Sequence, residues 1–291
     1  MKIGYPCINR SIGCTANATF RLKNYSEENL VEKVKNNLDC LMQILKYNKQ
    51  KNLLFFRISS VIVPFGSHPI CKFDWQKYFK NEFKTIGNYI KENNFRISMH
   101  PDQFTLINAK DEFIVKRSIA ELNYHCEILD LMSLDNTAKI QIHVGGVYGD
   151  KEAAITRFIH NYNLLPEKIK KRLVVENDDF SYSLKDCLRI HRACGIPILF
   201  DTFHHECLNN NESIHDALLY TKSTWKKEDG EMMVDYSTQK QEARRGTHTE
   251  HIDINHFKKF LEIAKNINFD IMLEIKDKEE SALEAKKEIE C

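Results

Sequence analysis

Eight short runs rich in β-branched and apolar residues, each followed by a stretch with apolar residues every three or four positions, predict a (β/α)8 barrel. The alternation is complete, no linker interrupts it, and 291 residues is a length that suits such a barrel. The composition is 42% hydrophobic and 29% charged with only 10 Gly and 6 Pro, which excludes disordered and fibrous classes. A single domain spanning 1–291 is expected. A doubly wound open sheet is the alternative, but no Gly-x-Gly-x-x-Gly or P-loop follows any strand.

The strands are expected at Lys2 to Tyr5, Leu53 to Ile58, Phe95 to Met99, Lys139 to Val144, Arg172 to Glu176, Pro197 to Asp201, Met232 to Asp235 and Phe269 to Ile275. Ser26 before Glu27 and Glu28 caps the first helix, where Leu30, Val34, Leu38, Leu41 and Leu45 form a stripe. Asp74 opens the second, to about Lys91. A third runs from Asp111 to Leu134, with Ile119, Leu122, Cys126 and Leu129 on one side. The rest span Asp150 to Leu164, Ser183 to Cys194 before Gly195 and Pro197, Glu212 to Trp225, Asn255 to Lys265, and Lys278 to Ile289.

No run of 18 apolar residues exists and no leader pattern opens the chain, so the expected location is the cytoplasm, away from membranes, with nucleoid association if the source is bacterial. Nine cysteines are scattered without a Cys-x-x-Cys. Free thiols in a reducing compartment are expected, with Cys7 and Cys14 as small buried hydrophobes and neither a zinc finger nor a disulfide framework. Lys and Arg number 42 against 41 Asp and Glu. That balance neither proposes nor excludes a nucleic-acid partner, because an acidic site can cancel a basic groove.

In a barrel of this type the site lies where the strands end. His68 follows strand 2, His100 ends strand 3, His143 strand 4, Glu176 strand 5, Asp201 strand 6 (His204 and His205 just beyond), Asp235 strand 7 and Glu274 strand 8, with His248 in the loop after strand 7. A lone strand-end histidine is ordinarily a hydrogen-bonded structural residue. Seven of eight strands ending in metal-ligating types instead indicate a cluster, with more ligands than one four-coordinate ion uses, hence two or three ions. Mixed N and O ligation without thiolate suits Mn²⁺, Zn²⁺ or Fe²⁺ better than Mg²⁺ or Ca²⁺. Glu176 is the natural bridging carboxylate. Of the adjacent pair, His204 is expected to ligate and His205 to stand behind it or aside, since neighbouring side chains diverge. His125, His160, His191, His215 and His256 fall in helical patterns and are expected at the surface.

Such a cluster suits phosphate-ester hydrolysis: it binds phosphate oxygens, brings a bound water's pKa to about 7 and stabilises the leaving oxyanion. Sugar isomerisation or epimerisation on the same barrel is the chief rival. A barrel that binds damaged DNA without cleaving it is a third reading.

Several strings carry a resemblance. Ile3-Gly4-Tyr5-Pro6-Cys7-Ile8-Asn9, Arg57-Ile58-Ser59-Ser60 with Pro64-Phe65-Gly66-Ser67-His68, Ser98-Met99-His100-Pro101-Asp102-Gln103-Phe104, His143-Val144-Gly145-Gly146-Val147-Tyr148-Gly149-Asp150-Lys151, Glu176-Asn177-Asp178-Asp179 and Glu274-Ile275-Lys276-Asp277 resemble the ultraviolet damage endonucleases, from residue 3 to about 279. The resemblance implies a TIM barrel related to endonuclease IV, with a Mn²⁺ cluster that nicks damaged double-stranded DNA directly 5′ to cyclobutane pyrimidine dimers, 6-4 photoproducts and some other lesions. Zn²⁺, Mg²⁺ or Co²⁺ are further candidate ions; an organic cofactor is not expected, and a monomer is. The implied ligands are His68, His100, His143, Glu176, Asp201, His204, His248 and Glu274, with Glu176, His143, Asp201 and Glu274 at the catalytic centre. Gln103 and Phe104 match the pair that probes the lesion, Phe standing where Tyr is common; an aromatic wedge and an amide suit an unstacked step. Tyr5 and Asn9, in the matching first loop, are expected near the substrate strand. Some family members carry Lys and His on strand 7 where this chain reads Met233-Val234-Asp235, so a modified lysine is excluded there, although Asp235 keeps an oxygen for ligation. Phosphate contacts are expected from Arg10, Arg21, Lys23, Arg57, Lys151, Arg244, Arg245 and Lys276, which would make binding salt-sensitive.

Overall fold

The computed structural model describes residues 1–290; Cys291, counted above among the thiols, lies outside them. Eight parallel strands close a barrel in chain order: β1 Ile3–Pro6, β2 Phe55–Ile58, β3 Arg96–Met99, β4 Lys139–His143, β5 Leu173–Glu176, β6 Ile198–Asp201, β7 Met233–Tyr236 and β8 Asp270–Leu273. Each lies within a residue or two of its predicted run. The helices, in order, are α1 Glu27–Lys51, α2 Trp75–Tyr78, α3 Lys80–Glu92, α4 Glu112–Leu131, α5 Lys151–Leu164, α6 Glu167–Lys170, α7 Leu184–Cys194, α8 Thr202–Cys207, α9 Ile214–Lys222, α10 Ile254–Ile263 and α11 Glu279–Glu290. None is long and apolar enough to cross a membrane among the described residues.

Local chemistry sets the helix ends. The Ser26 hydroxyl accepts from Asn29 N at 3.2 Å, the Asp111 carboxylate from Phe113 N at 2.8 Å and the Asp150 carboxylate from Ala153 N at 3.0 Å. Gly195 ends α7 in the left-handed conformation, φ 77°. The helix expected from Asp74 to Lys91 is divided at Phe79, which caps α3 outside helical geometry. Its side chain is buried in the core with the exposed Tyr78 ring edge-on to it at 4.8 Å, so burial of an aromatic ring overrides the helical period there.

Two apolar layers hold the barrel. The outer one joins the strands' outward residues to the helices, including the α1 stripe Leu30, Val34, Leu38, Leu41 and Leu45. Inside, Phe55, Val174, Leu199, Met233 and Met272 fill the middle of the lumen. Because strand side chains alternate, the next inward positions toward the carboxyl end are Arg57, Gln141, Glu176, Asp201, Asp235 and Glu274. The strand register sets His143 opposite Glu176 and Asp201 opposite Asp235. An apolar plug thus carries a polar floor.

Two expectations are corrected. Cys14 is disulfide-bonded to Cys40, Cα–Cα 6.0 Å, pinning the loop after β1 to α1. The pairing spans 26 residues and needs only that α1 present Cys40 to the loop, which no Cys spacing reveals. Cys7, Cys71, Cys126, Cys187, Cys194 and Cys207 are free thiols, as expected. His125, expected at the surface, is wholly buried in α4 against Tyr124, its Nδ1 2.8 Å from the Glu121 carbonyl.

Candidate metal centre

At the carboxyl rim three overlapping groups of side chains each bring potential ligand atoms together: His100, His143 and Glu176; Glu176, Asp201 and His204; and Asp201, Asp235 and Glu274. Glu176 belongs to the first two. Its Oε2 lies 3.5 Å from His100 Nε2 and 3.8 Å from His143 Nε2, while Oε1 lies 3.3 Å from His204 Nδ1. A carboxylate whose two oxygens face two different imidazole groups can bridge two ions.

Asp201 joins the second and third groups. It caps α8, Oδ1 accepting from His204 N at 2.7 Å, and this turn aims the His204 ring at Glu176. Asp201 Oδ2 is buried with no hydrogen-bond partner. A buried bare carboxylate oxygen beside an imidazole is costly without a cation, so the donor set fits a divalent metal. His100 Nδ1 lies 2.8 Å from the Pro101 carbonyl and His248 Nδ1 2.8 Å from that of Glu274, which turns the opposite ring nitrogens inward. His248 Nε2 lies 3.9 Å from Glu274 Oε2, extending the cluster beyond the three groups. His205 turns away onto Phe200 and sits behind the site. His68 is held at Nδ1 by the Ile70 N–H, 3.0 Å, and lies outside the three groups.

Beneath the imidazoles runs a buried polar chain. Gln141 Nε2 donates to Glu176 Oε2 at 2.9 Å and to Asp235 Oδ2 at 2.8 Å. Arg57 Nη2 donates to the same Asp235 oxygen at 2.6 Å, and Nη1 to Glu274 Oε1. Burial works against the Arg57 charge, but Asp235 and Glu274 outweigh it and hold the guanidinium protonated. Burial would likewise raise Glu274, yet Arg57 brings it down to about 2. Glu176 is held well below the carboxylate range despite burial, by His143, His100 and His204. Burial lifts Asp201 to about 6 and lowers His143. Against burial, Asp201 and Glu176 raise His204 to about 11.

The rim above is built from loops tied to one another. The Gly146 carbonyl accepts from Asn108 Nδ2 at 2.8 Å and Tyr182 OH at 3.1 Å, which joins the loops after β3, β4 and β5. Gly145 stands at φ 110° against Asn108, where a side chain would be both strained and blocked. Asp102 makes a turn, its carboxylate accepting from Phe104 N at 2.8 Å, that displays Gln103 and Phe104; the Phe104 ring is 69% exposed. Clefts of about 330 Å³ flank this turn, one reaching His100 and His143, the other lying between Phe104, Phe113, Lys116 and Arg117. A larger cleft, about 590 Å³, opens at the opposite end of the barrel among Lys2, Arg96 and Asp270, and gathers none of the ligand groups.

Several predicted contacts fall elsewhere. Tyr5 and Asn9, expected at the substrate strand, are both buried: Tyr5 points outward from β1 onto Phe56, its hydroxyl 2.5 Å from Asn48 Oδ1 and 2.7 Å from Asn9 Nδ2. Asn9 Oδ1 in turn accepts from Ser11 N and Ile12 N, so the pair braces the first loop from within. Arg57, expected on phosphate, is buried under the cluster. Lys151 pairs with Asp186 at 2.5 Å, and Lys276 with Glu250 at 3.0 Å. Arg10, Arg21 and Lys23 are exposed, as are Arg244 and Arg245 at the tip of a hairpin closed by the Gln239–His248 bridge. Sequence reasoning missed Gln141, although its spacing of two from His143 places both on one strand face. It also missed Phe180, 84% exposed on the Asx turn that Asp178 makes after β5, in a loop whose Asp179 packs on Gly246 beside Arg245.

Fold and site together define a TIM barrel with a buried His and carboxylate cluster at its carboxyl rim. The family model of the UV-endonuclease UvdE matches residues 1–290, and the chain belongs to that family. It is 43% identical to a UV DNA damage endonuclease of Clostridium perfringens over 97% of this chain and 69% of that one, and 39% identical to one of Bacillus cereus over 88% and 82%. The crystal structure of SacUVDE superposes with a TM-score of 0.96 at 44% identity, covering 100% of this chain and 98% of the other. Endonuclease IV of Thermus thermophilus, 12% identical with a TM-score of 0.61, shares the fold.

Proposed function

We propose that this protein is a metal-dependent DNA repair endonuclease that hydrolyses the phosphodiester immediately 5′ to ultraviolet photoproducts, cyclobutane pyrimidine dimers and 6-4 photoproducts among them, and to some other lesions. The observation that carries it is Glu176, whose two oxygens face separate imidazole groups in a chain that matches its family from end to end. Divalent ions held by His68, His100, His143, Glu176, Asp201, His204, His248 and Glu274 would supply an activated water near neutral pH and positive charge for the phosphate. Mn²⁺ is the expected ion; Zn²⁺, Mg²⁺ and Co²⁺ suit the same donors.

The chain's own residues do the rest. Gln141 holds Glu176 in place from below. Gln103 and Phe104 stand where an amide and an aromatic face can enter a weakened base step. Arg244 and Arg245 are free to take backbone phosphates. Action as a monomer in the cytoplasm, at the nucleoid if the source is bacterial, without an organic cofactor, completes the reading.

The test is a labelled duplex carrying one cyclobutane dimer, incubated with Mn²⁺-loaded protein beside an undamaged duplex. A Mn²⁺-dependent nick 5′ to the dimer is expected, and Glu176→Gln, which keeps size and removes charge, abolishes it. Damage binding without nicking would mean an inactive barrel; no DNA binding together with turnover of free sugars would mean an epimerase.

A further inference from the structure

We infer that Arg57 closes the third ligand group to a cation, so that the cluster holds two divalent ions and Asp235 serves the guanidinium as counter-charge. The inference rests on the metalloenzyme reading and fixes the number of ions in it. The three groups differ in kind. The first two contain His100, His143 and His204 and share Glu176; the third, Asp201, Asp235 and Glu274, is carboxylate alone. Into this third group β2 sends a side chain with only 3% of its surface exposed, and its planar fork takes one oxygen from Asp235 and one from Glu274. The Asp235 oxygen also accepts from Gln141. A cation seated between Asp235 and Glu274 must displace a guanidinium that has no solvent to retreat into. Glu274 keeps its second oxygen, Oε2, turned toward His248 and available to the second ion.

Charge leads to the same count. The cluster contains four carboxylates, Glu176, Asp201, Asp235 and Glu274, and one buried guanidinium. With Asp235 and Arg57 taken together as one neutral pair, three carboxylates remain to face added cations, a set that suits two divalent ions better than three in a low-dielectric pocket. Asp235 Oδ1 remains without a hydrogen-bond donor, and it is the one oxygen in the third group through which Asp235 could reach an ion. The experiment has to exclude that route.

Metal-free protein is equilibrated with excess Mn²⁺, bound metal is counted by mass spectrometry, and the ions are placed by anomalous diffraction. Two ions per chain are expected, one among His100, His143 and Glu176, the other among Glu176, Asp201 and His204, with no peak within bonding distance of Asp235. In Arg57→Gln the count rises to three. A third ion on Asp235 in the wild-type protein overturns the inference, whatever the variant does, and so does a folded Arg57→Gln protein that still holds two. Binding of no ion would overturn the metalloenzyme reading itself.

Discussion

Gln141 is the residue on which the floor of the site depends, and Gln141→Leu measures how much. The side chain is wholly buried, and a single amide nitrogen divides its two hydrogens between Glu176, 2.9 Å away, and Asp235, 2.8 Å away. Leucine has nearly the same volume and donates nothing. Two hydrogen bonds to charged acceptors are lost, each worth about 1.5–3 kcal/mol, while the Gln141 carbonyl, itself without a partner, ceases to be buried bare, which returns roughly 1–3 kcal/mol. The net destabilisation of the metal-free protein therefore spans about 0–5 kcal/mol and centres near 2–3 kcal/mol. An outer partner of a metal ligand typically contributes 10–100-fold to affinity or activity, and Glu176, freed to rotate, is expected to lose that much. Urea unfolding without metal gives the first quantity; Mn²⁺ titration and single-turnover nicking of a dimer-containing duplex give the second. If Gln141→Leu unfolds within about 0.5 kcal/mol of wild type and binds Mn²⁺ within a factor of about three, Gln141 does not organise the site.

The rim and the core yield three further expectations. Phe104→Ala removes one stacking face, worth about 1–3 kcal/mol by analogy with base stacking on aromatic side chains, so binding to a dimer-containing duplex weakens roughly 5–150-fold with little change on undamaged duplex; equal weakening on both would deny it a probing role. The double variant Arg244→Ala, Arg245→Ala lowers the slope of log affinity against log salt by up to about 2, near 0.9 per phosphate contact, and an unchanged slope places the DNA elsewhere. His125, which burial brings down to about 4, is protonated in the unfolded chain below about 6.5 but stays neutral in the fold, so stability is full above pH 6.5 and falls as pH drops toward 4, by roughly 3 kcal/mol at most; unfolding curves across that range should lose this component in His125→Leu.

The sequence showed where the strands end better than it showed which way their side chains face. All eight strands were legible because each is a compact apolar run, and the His and carboxylate side chains that gather at the rim were legible because they close those runs. Tyr5 was misplaced for the same reason: both faces of a parallel barrel strand are buried, so alternation alone does not tell which parity points inward. Arg57 suffers the converse error. Its charge suggested solvent, but register sets it opposite Pro6, on the lumen side. His125 was legible and passed over, since it lies three residues after Leu122 and four before Leu129, on the face already read as apolar. Helix α8 has six residues, too few for a period, and its signal is Asp201, which the sequence offered first as a ligand. The Cys14–Cys40 bond depends wholly on tertiary approach.

Strand β7 shows what Met233 and Asp235 do at the positions where, by the resemblance, some family members are expected to carry Lys and His. Met233 lies in the lumen's apolar cluster with Phe55, Val174, Leu199 and Met272, so a thioether fills space at a level where a lysine would need a partner. Two residues on, at the same inward parity, Asp235 returns a negative charge to the floor, where it meets Arg57 and Gln141. The strand therefore keeps an anion under the cluster but ties it to protein donors. Removing one member of a buried pair leaves the other uncompensated, so Asp235→Ala should harm the fold more than the joint change Arg57→Met, Asp235→Leu, which removes both charges together. If the single change proves the milder of the two in urea unfolding, Asp235 is held there by the metal and not by the guanidinium.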